Sequence, residues 1–254
     1  MTKMTDQAIA ETVAEHAKWL ANPKLGRRAN FSGQDLSGAQ LTGANLTNAD
    51  LSGSLLTSAD LTGASLYCAN LRGASLNCCD LISADLRRAN FRGAYLRRAN
   101  LRGADLDSAE LSDADLTGAR LAGANLNHAY LSGATLTDAN LTNADLTGAD
   151  LLGYQIPVIP HLDAKIYSRI TDGMGFLEMG DWHTCETAHC RAGWAIVVAG
   201  AEGARLENEV GPAAAGALIY AVSRPGRLPN FHATDRAAMA SIKAGALADP
   251  IPAP

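Results

Sequence analysis

From residue 31 to residue 151 every fifth position is Leu or Phe; twenty-three of the twenty-five are Leu, and Phe31 and Phe91 are the others. Ala stands two residues before each of them in twenty-two cases, with Gln34, Ser54 and Cys79 as the exceptions. The residue between the pair is usually Asn or Asp. The one after the Leu is often Ser or Thr, and the next is Gly in thirteen repeats, giving the consensus A-[D/N]-L-[S/T]-G. An α-helix would spread these leucines around its whole circumference, and a strand would send them alternately to opposite faces. The period therefore requires a chain that turns a corner every five residues and always presents Leu and the preceding Ala to one interior. Small Ala suits a crowded corner, Gly tolerates unusual backbone angles, and Asn or Asp can bond to nearby backbone.

This array resembles the pentapeptide-repeat family, and the likeness runs through half the chain without a break in register. The resemblance implies a β-solenoid plus α architecture: a right-handed quadrilateral β-helix with four pentapeptides, hence twenty residues, to each coil. Twenty-five repeats then make about six coils, a rod about 30 Å long at a spacing of about 4.8 Å. A solenoid needs caps on its open ends. Residues 4–21 read as an N-terminal capping helix, with Ile9, Val13 and Leu20 at helical spacing and Glu11, Glu15 and Lys18 elsewhere on it. His16 and Trp19 read as packing residues of that cap, and the ending "EHAKWL" resembles the leader helix of many such arrays. Asn22-Pro23 and Gly26 end the helix. The expected division is 1–28 for the capping helix and lead-in, 29–153 for the β-helix, and 154–254 for a mostly helical domain with a frayed tail.

The chain is acidic, with a net charge of -5, yet "LRRANFRGAYLRRANLRG" packs six arginines into residues 86–103. With twenty residues per coil these arginines form a girdle around one coil, a poor shape for a duplex that touches one or two faces. Coil 86–105 carries +5 (six Arg, Asp105) and coil 106–125 carries -3 (Asp107, Glu110, Asp113 and Asp115 against Arg120). Tyr67, Arg87 and Asp107 should stack in one column, giving a cation–π contact and an ion pair. The girdle is expected to be mostly matched internally. Arg72 and Arg92 form a like-charge step and are the candidates for an external acidic contact. Among outward apolar residues (Leu55, Tyr67, Ile82, Tyr95, Tyr130), Leu55 and Tyr95 share a column two coils apart and are candidates for protein contact.

After Gly153 the period stops, and "YQIPVIP" reads as a connector. Helices are expected over about 161–171, 188–201 and 212–223, the last with Pro212 at its first position. Thr234 can cap a final helix to about 247. The stretch "GDWHTCETAHC" gathers His183, Cys185, His189 and Cys190. Four such groups could bind zinc, with His161 or His232 as a distant ligand. They could also make Cys190 a nucleophile with a histidine base, or form a Cys185–Cys190 disulfide. Ahead of all three stands the reading that they pack, unreactive, with Trp182 and Trp194. Residues 160–245 resemble a module of uncharacterised bacterial and phage-associated proteins, a likeness that implies no activity.

The leading expectation is a non-enzymatic scaffold without a cofactor, which binds a protein partner through a rigid rod and an appended helical module. Direct nucleic-acid binding is argued against by the charge and the girdle, and a homodimer is compatible with the sequence. No apolar run approaches the roughly 18 residues of a membrane span. The N-terminus does not read as a signal peptide, and five cysteines, an odd number, suit reduced thiols in a cytoplasm. An alternative follows from resemblance to quinolone-resistance members of the family, which implies a DNA mimic that binds gyrase, a type II topoisomerase. The rod's net charge of -5, from thirteen acids and eight arginines, and its cationic middle depart from that pattern. A thiol or zinc site in the helical domain is the second alternative.

Overall fold

A computed structural model describes residues 3–154, 191–223, 242, 244 and 246–249. Helix α1 (Asp6–Ala21) opens the first unit. Thr5 caps it in extended conformation, its Oγ accepting from the Ala8 N–H at 3.2 Å, and Asp6 lies in the first turn where a carboxylate suits the helix dipole. Ile9 and His16 are buried on α1, while Val13 and Leu20 are half-buried. The residues ahead of the helix also contribute to the cap. Lys3 pairs with Asp35 in a parallel bridge, and the Met4 N–H donates to the Asp35 carbonyl at 2.8 Å. A single bridge has no period, so nothing in the sequence announces it.

Every coil is twenty residues long. Parallel bridges join Asn30 to Asp50, Asp50 to Asn70, and so on up to Tyr130 with Asp150; equivalent ladders run on the other three sides. Each bridge is an isolated pair, and the array has no continuous strand among the described residues. The corners explain this. Phe31 N–H donates to the Asp50 carbonyl at 2.7 Å and Asp50 N–H to the Ala29 carbonyl at 3.0 Å, but Gln34 N–H then closes a turn onto the Phe31 carbonyl at 3.0 Å. One residue per side is all that can pair before the chain bends.

That turn needs a positive φ at its third residue. Gly33 supplies it at 65°. Twelve non-glycine residues adopt the same conformation, among them Cys78 (56°), Arg88 (57°), Arg98 (57°) and Asp138 (56°). The Asn or Asp before the Leu satisfies the N–H two residues on: Asn30 Oδ1 accepts from Ser32 at 3.0 Å, Asp60 Oδ1 from Thr62 at 2.9 Å, and Asp115 Oδ1 from Thr117 at 3.0 Å. This is the turn chemistry that the sequence assigns to the column.

The Leu and Phe side chains from Phe31 to Leu146 are buried, as are nearly all the alanines facing them. Two of the exceptions to Ala are tied off inside. Ser54 Oγ donates to the Leu51 carbonyl at 2.7 Å, and Cys79 Sγ donates to the Ala59 carbonyl at 3.0 Å. Burial pushes the Cys79 thiol up to about 12, so it is an inert core group. Gln34, in the first coil, is exposed.

In the second unit α2 (Arg191–Val210) is interrupted at Gly200, where φ is 63° and ψ is -138°. The sequence reading stops the helix near this glycine; the chain bends there and resumes as helix. Helix α3 (Pro212–Ser223) starts and ends where expected. The two pack together and bury Ile196 and Leu206 of α2 with Leu218, Ile219 and Tyr220 of α3. Residues 242, 244 and 246–248 are helical as well. The expected helix over 161–171 lies outside the described residues. No helix among the described residues is long and apolar enough to cross a membrane.

Candidate interaction surface

The interior of the rod is closed, so its chemistry lies outside. Arg87 stands above Tyr67 with its guanidinium carbon 5.5 Å from the ring centroid, as the column predicts. Its carboxylate partner is not Asp107. Arg87 binds Asp85 with two bonds of 2.8 Å, from Nε and Nη2, and its Nε lies 3.6 Å from Asp105 Oδ2. The long side chain folds back along its own side of the coil, where Asp85 and Asp105 occupy the bridging column. Asp107 is short and accepts from the adjacent Ser108 hydroxyl at 3.3 Å. The bond to Arg87 holds the Asp85 carboxyl below its ordinary range, opposed by partial burial. In an Asp85→Ala, Arg87→Ala double-mutant cycle the midpoints should be non-additive, with a coupling that shrinks in molar salt. The cycle with Asp107→Ala should be additive, and coupling there instead would reverse this correction.

The girdle is matched by half rather than mostly. Arg92 Nε lies 3.8 Å from Asp113, and Arg97 Nε lies 3.7 Å from Asp115. Arg88, Arg98 and Arg102 have no carboxylate within 4.0 Å among the described residues, and neither do Arg72 and Arg120. Of the two arginines expected to be unmatched, Arg72 is so and Arg92 is not, because the acid two corners into the next coil comes within reach. The charge count by coil is right, but each pairing depends on which side of the rod a side chain leaves.

Several of these residues line a groove of about 830 Å³ that climbs one corner over four coils. Cys78, Arg98, Gly118 and Asp138 occupy one corner position in successive coils, and Asp80, Asn100 and Arg120 flank it on the next side. Arg97 also lines it. A Cβ built on Gly118 would meet Arg98 Cγ at 3.4 Å, so the Arg98 stem lies over this glycine, at the level of the coil that carries Arg120. Reading the sequence in columns of twenty places these residues together; reading it as a linear arginine run does not.

Pentapeptide repeats, in eight copies, match residues 27–63, 54–93, 64–103, 84–121 and 114–153, which together span half of the chain. The chain belongs to the pentapeptide-repeat family. Its solenoid is accordingly the right-handed β-helix of that family. No curated protein matches this pentapeptide-repeat protein significantly. Solved structures do. HetL, a pentapeptide repeat protein involved in heterocyst differentiation regulation in the cyanobacterium Nostoc sp. strain PCC 7120, is 29% identical over 53% of this chain and 89% of its own, with a TM-score of 0.35. A pentapeptide repeat protein from the thylakoid lumen of Arabidopsis thaliana is 28% identical over 54% of this chain and 76% of its own, at 0.24. Full-length QnrB1, a plasmid-mediated fluoroquinolone resistance protein, is 22% identical over 48% of this chain and 74% of its own, at 0.26. The likeness of residues 160–245 to a phage-associated module receives no support from these matches.

The remaining candidates on this pentapeptide-repeat protein are dispersed. Leu55 is 37% exposed and Tyr95 is 53% exposed, in one column as expected, but Ser75 separates them. They are two isolated apolar side chains rather than a patch. Tyr67 and Ile82 are half-buried. His183, Cys185, His189 and Cys190 lie outside the described residues, with His161, His232 and Trp182.

Proposed function

We propose that this protein is a non-enzymatic, cytoplasmic interaction scaffold: a β-helical rod, followed by a helical module, that holds a protein partner on its outer columns. One observation carries the reading. The Leu and Ala columns are buried inside the rod, and most Asn and Asp side chains beside them are used up in turns, while five arginines have no carboxylate within 4.0 Å among the described residues. A surface of stacked, rigidly spaced side chains is what a solenoid offers a partner. The division into a cap (1–28), a β-helix (29–153) and a helical domain (154–254) belongs to this reading. Crosslinking in the native host followed by purification of the full chain tests it. A protein recovered in stoichiometric amount, on crosslinks that map to outer columns of the rod, is the expected result; a chain recovered without any crosslinked protein would remove the scaffold reading.

The gyrase-directed alternative is favoured by no observation on the rod. Three of its unmatched arginines, Arg88, Arg98 and Arg102, lie on one central coil, where a mimic of duplex DNA would carry acid. A supercoiling assay separates the two: the scaffold reading expects no inhibition of gyrase, and no drug protection, at stoichiometric protein.

A further inference from the structure

We propose that the corner groove binds a short acidic segment of a partner protein, with Arg98 and Arg120 receiving its carboxylates. The assignment rests on the scaffold reading and names the chemistry of the partner. Three arginines line the middle of the groove; among the described residues only Arg97 has a carboxylate within 4.0 Å, that of Asp115 at 3.7 Å. Planar guanidinium groups take carboxylates in paired hydrogen bonds, and neighbouring ones hold a doubly or triply acidic segment.

Arg98 and Arg120 also depart from the repeat at a cost to the fold. Arg98 has a φ of 57° at a corner position where thirteen repeats carry Gly, a conformation that penalises a β-carbon. Arg120 replaces the Asn or Asp that would accept the N–H two residues on, so the turn there lacks the bond that Asp60 and Asp115 provide. Neither arginine gains an ion pair in return among the described residues. Arg88 shares the corner conformation and the missing partner but leaves from another side of the rod, so the groove is what sets Arg98 and Arg120 apart.

The ends of the groove select the class of ligand. Asp80 closes it in the coil below the arginines, and Asp138 closes it in the coil above. Four coils make a height of about 14 Å. A nucleic-acid strand, with a charge about every 3.4 Å of its length, would set phosphates against both carboxylates. A peptide with two or three acids between neutral residues avoids them.

Fluorescence anisotropy on the full chain tests this with a labelled Gly-Glu-Asp-Glu-Gly peptide and a short labelled DNA strand as probes. Arg98→Gly with Arg120→Asn restores the repeat consensus at both positions, so its thermal midpoint should not fall. Arg72→Ser with Arg88→Gly removes the same charge from other sides of the rod. Binding of the peptide should weaken about tenfold or more in the first variant and by less than about twofold in the second. Bound peptide should also slow alkylation of the groove's exposed Cys78 by iodoacetamide, followed by mass spectrometry. An absence of saturable peptide binding, an equal loss in both variants, an unprotected Cys78, or tighter binding of the DNA strand would each overturn the proposal. If a host protein crosslinked to the wild-type chain is retained by the Arg98→Gly, Arg120→Asn variant, the groove assignment fails while the scaffold reading stands.

Discussion

Phe91→Ala is expected to lower the free energy of unfolding by about 3–5 kcal/mol. Phe91 is fully buried, in the column between Leu71 and Leu111, which are buried to the same degree. Its backbone is pinned on three counts: its N–H donates to the Glu110 carbonyl at 2.7 Å, Glu110 N–H donates to the Ala89 carbonyl at 2.9 Å, and Ala94 N–H closes the corner onto the Phe91 carbonyl at 2.8 Å. A coil held this way cannot collapse into the space left by a ring, so the cavity persists and its cost adds to the lost transfer energy. Phe91→Leu, which installs the residue of twenty-three other repeats, should cost less than about 1.5 kcal/mol. Because a solenoid repeat contacts only its neighbours, amide exchange in the Ala variant should rise first in the coils that carry Leu71, Phe91 and Leu111. Chemical denaturation of the three proteins measures the difference. A loss below about 1 kcal/mol for the alanine variant would mean that the rod repacks freely, against the close packing described above.

The second large effect lies in the cap. His16 is fully buried and joins α1 to two separate points of the first coils. Its Nδ1 accepts from the Ala29 N–H at 3.0 Å, and Nε2 is 3.0 Å from the Thr47 carbonyl. Those partners define the neutral tautomer, with the proton on Nε2 donating to Thr47. Trp19 stacks on the ring at a centroid distance of 5.4 Å. His16→Leu keeps the apolar contact and orphans the buried Ala29 N–H, which costs about 1–3 kcal/mol, and also leaves the part-buried Thr47 carbonyl without its donor.

The same geometry predicts a pH dependence. Burial lowers the pKa of His16 below its ordinary 6.5, outweighing the hydrogen bond to Thr47, which acts to raise it; the nearby Arg28 lowers it further. The unfolded chain therefore binds a proton at a pH where the folded cap resists one. The stabilising contribution is complete above about 6.5 and is lost as the pH falls from there toward the folded-state value. The wild-type thermal midpoint should drop between pH 7.5 and pH 5.5 by more than that of His16→Leu. Parallel curves for the two proteins would contradict this account of the cap. Arg28 and the Ala29 N–H both disfavour a second proton on the ring, and they add to the burial that outweighs the Thr47 carbonyl.

Half the molecule was legible before any coordinates. A period of five admits few backbones, and the Leu column, the Ala column and the Asx turns follow from it, while the twenty-residue coil was implied by the family resemblance. Helical spacing in residues 4–21 placed α1 to within two residues of its start, and α3 was announced by Pro212. Residues with no period were read less well. The Lys3–Asp35 bridge is one pair, and the resumption of α2 beyond Gly200 follows a glycine that looks like a stop.

What the sequence by itself determined is the interior: which side chains face inward, and that the backbone must turn a corner every five residues. These are set by nearest neighbours along the chain and by exclusion of apolar groups from water, and both repeat identically in every coil. The tertiary structure alone decided the exterior. A flexible arginine several bonds from its backbone chooses among carboxylates on its own coil and the next, so Arg87 settled on Asp85 and Asp105, Arg92 reached Asp113, and Arg98 and Arg120 were left beside an open groove. Such choices differ by small energies over distances of a few ångströms, which stacked side chains in three dimensions set and a one-dimensional spacing does not.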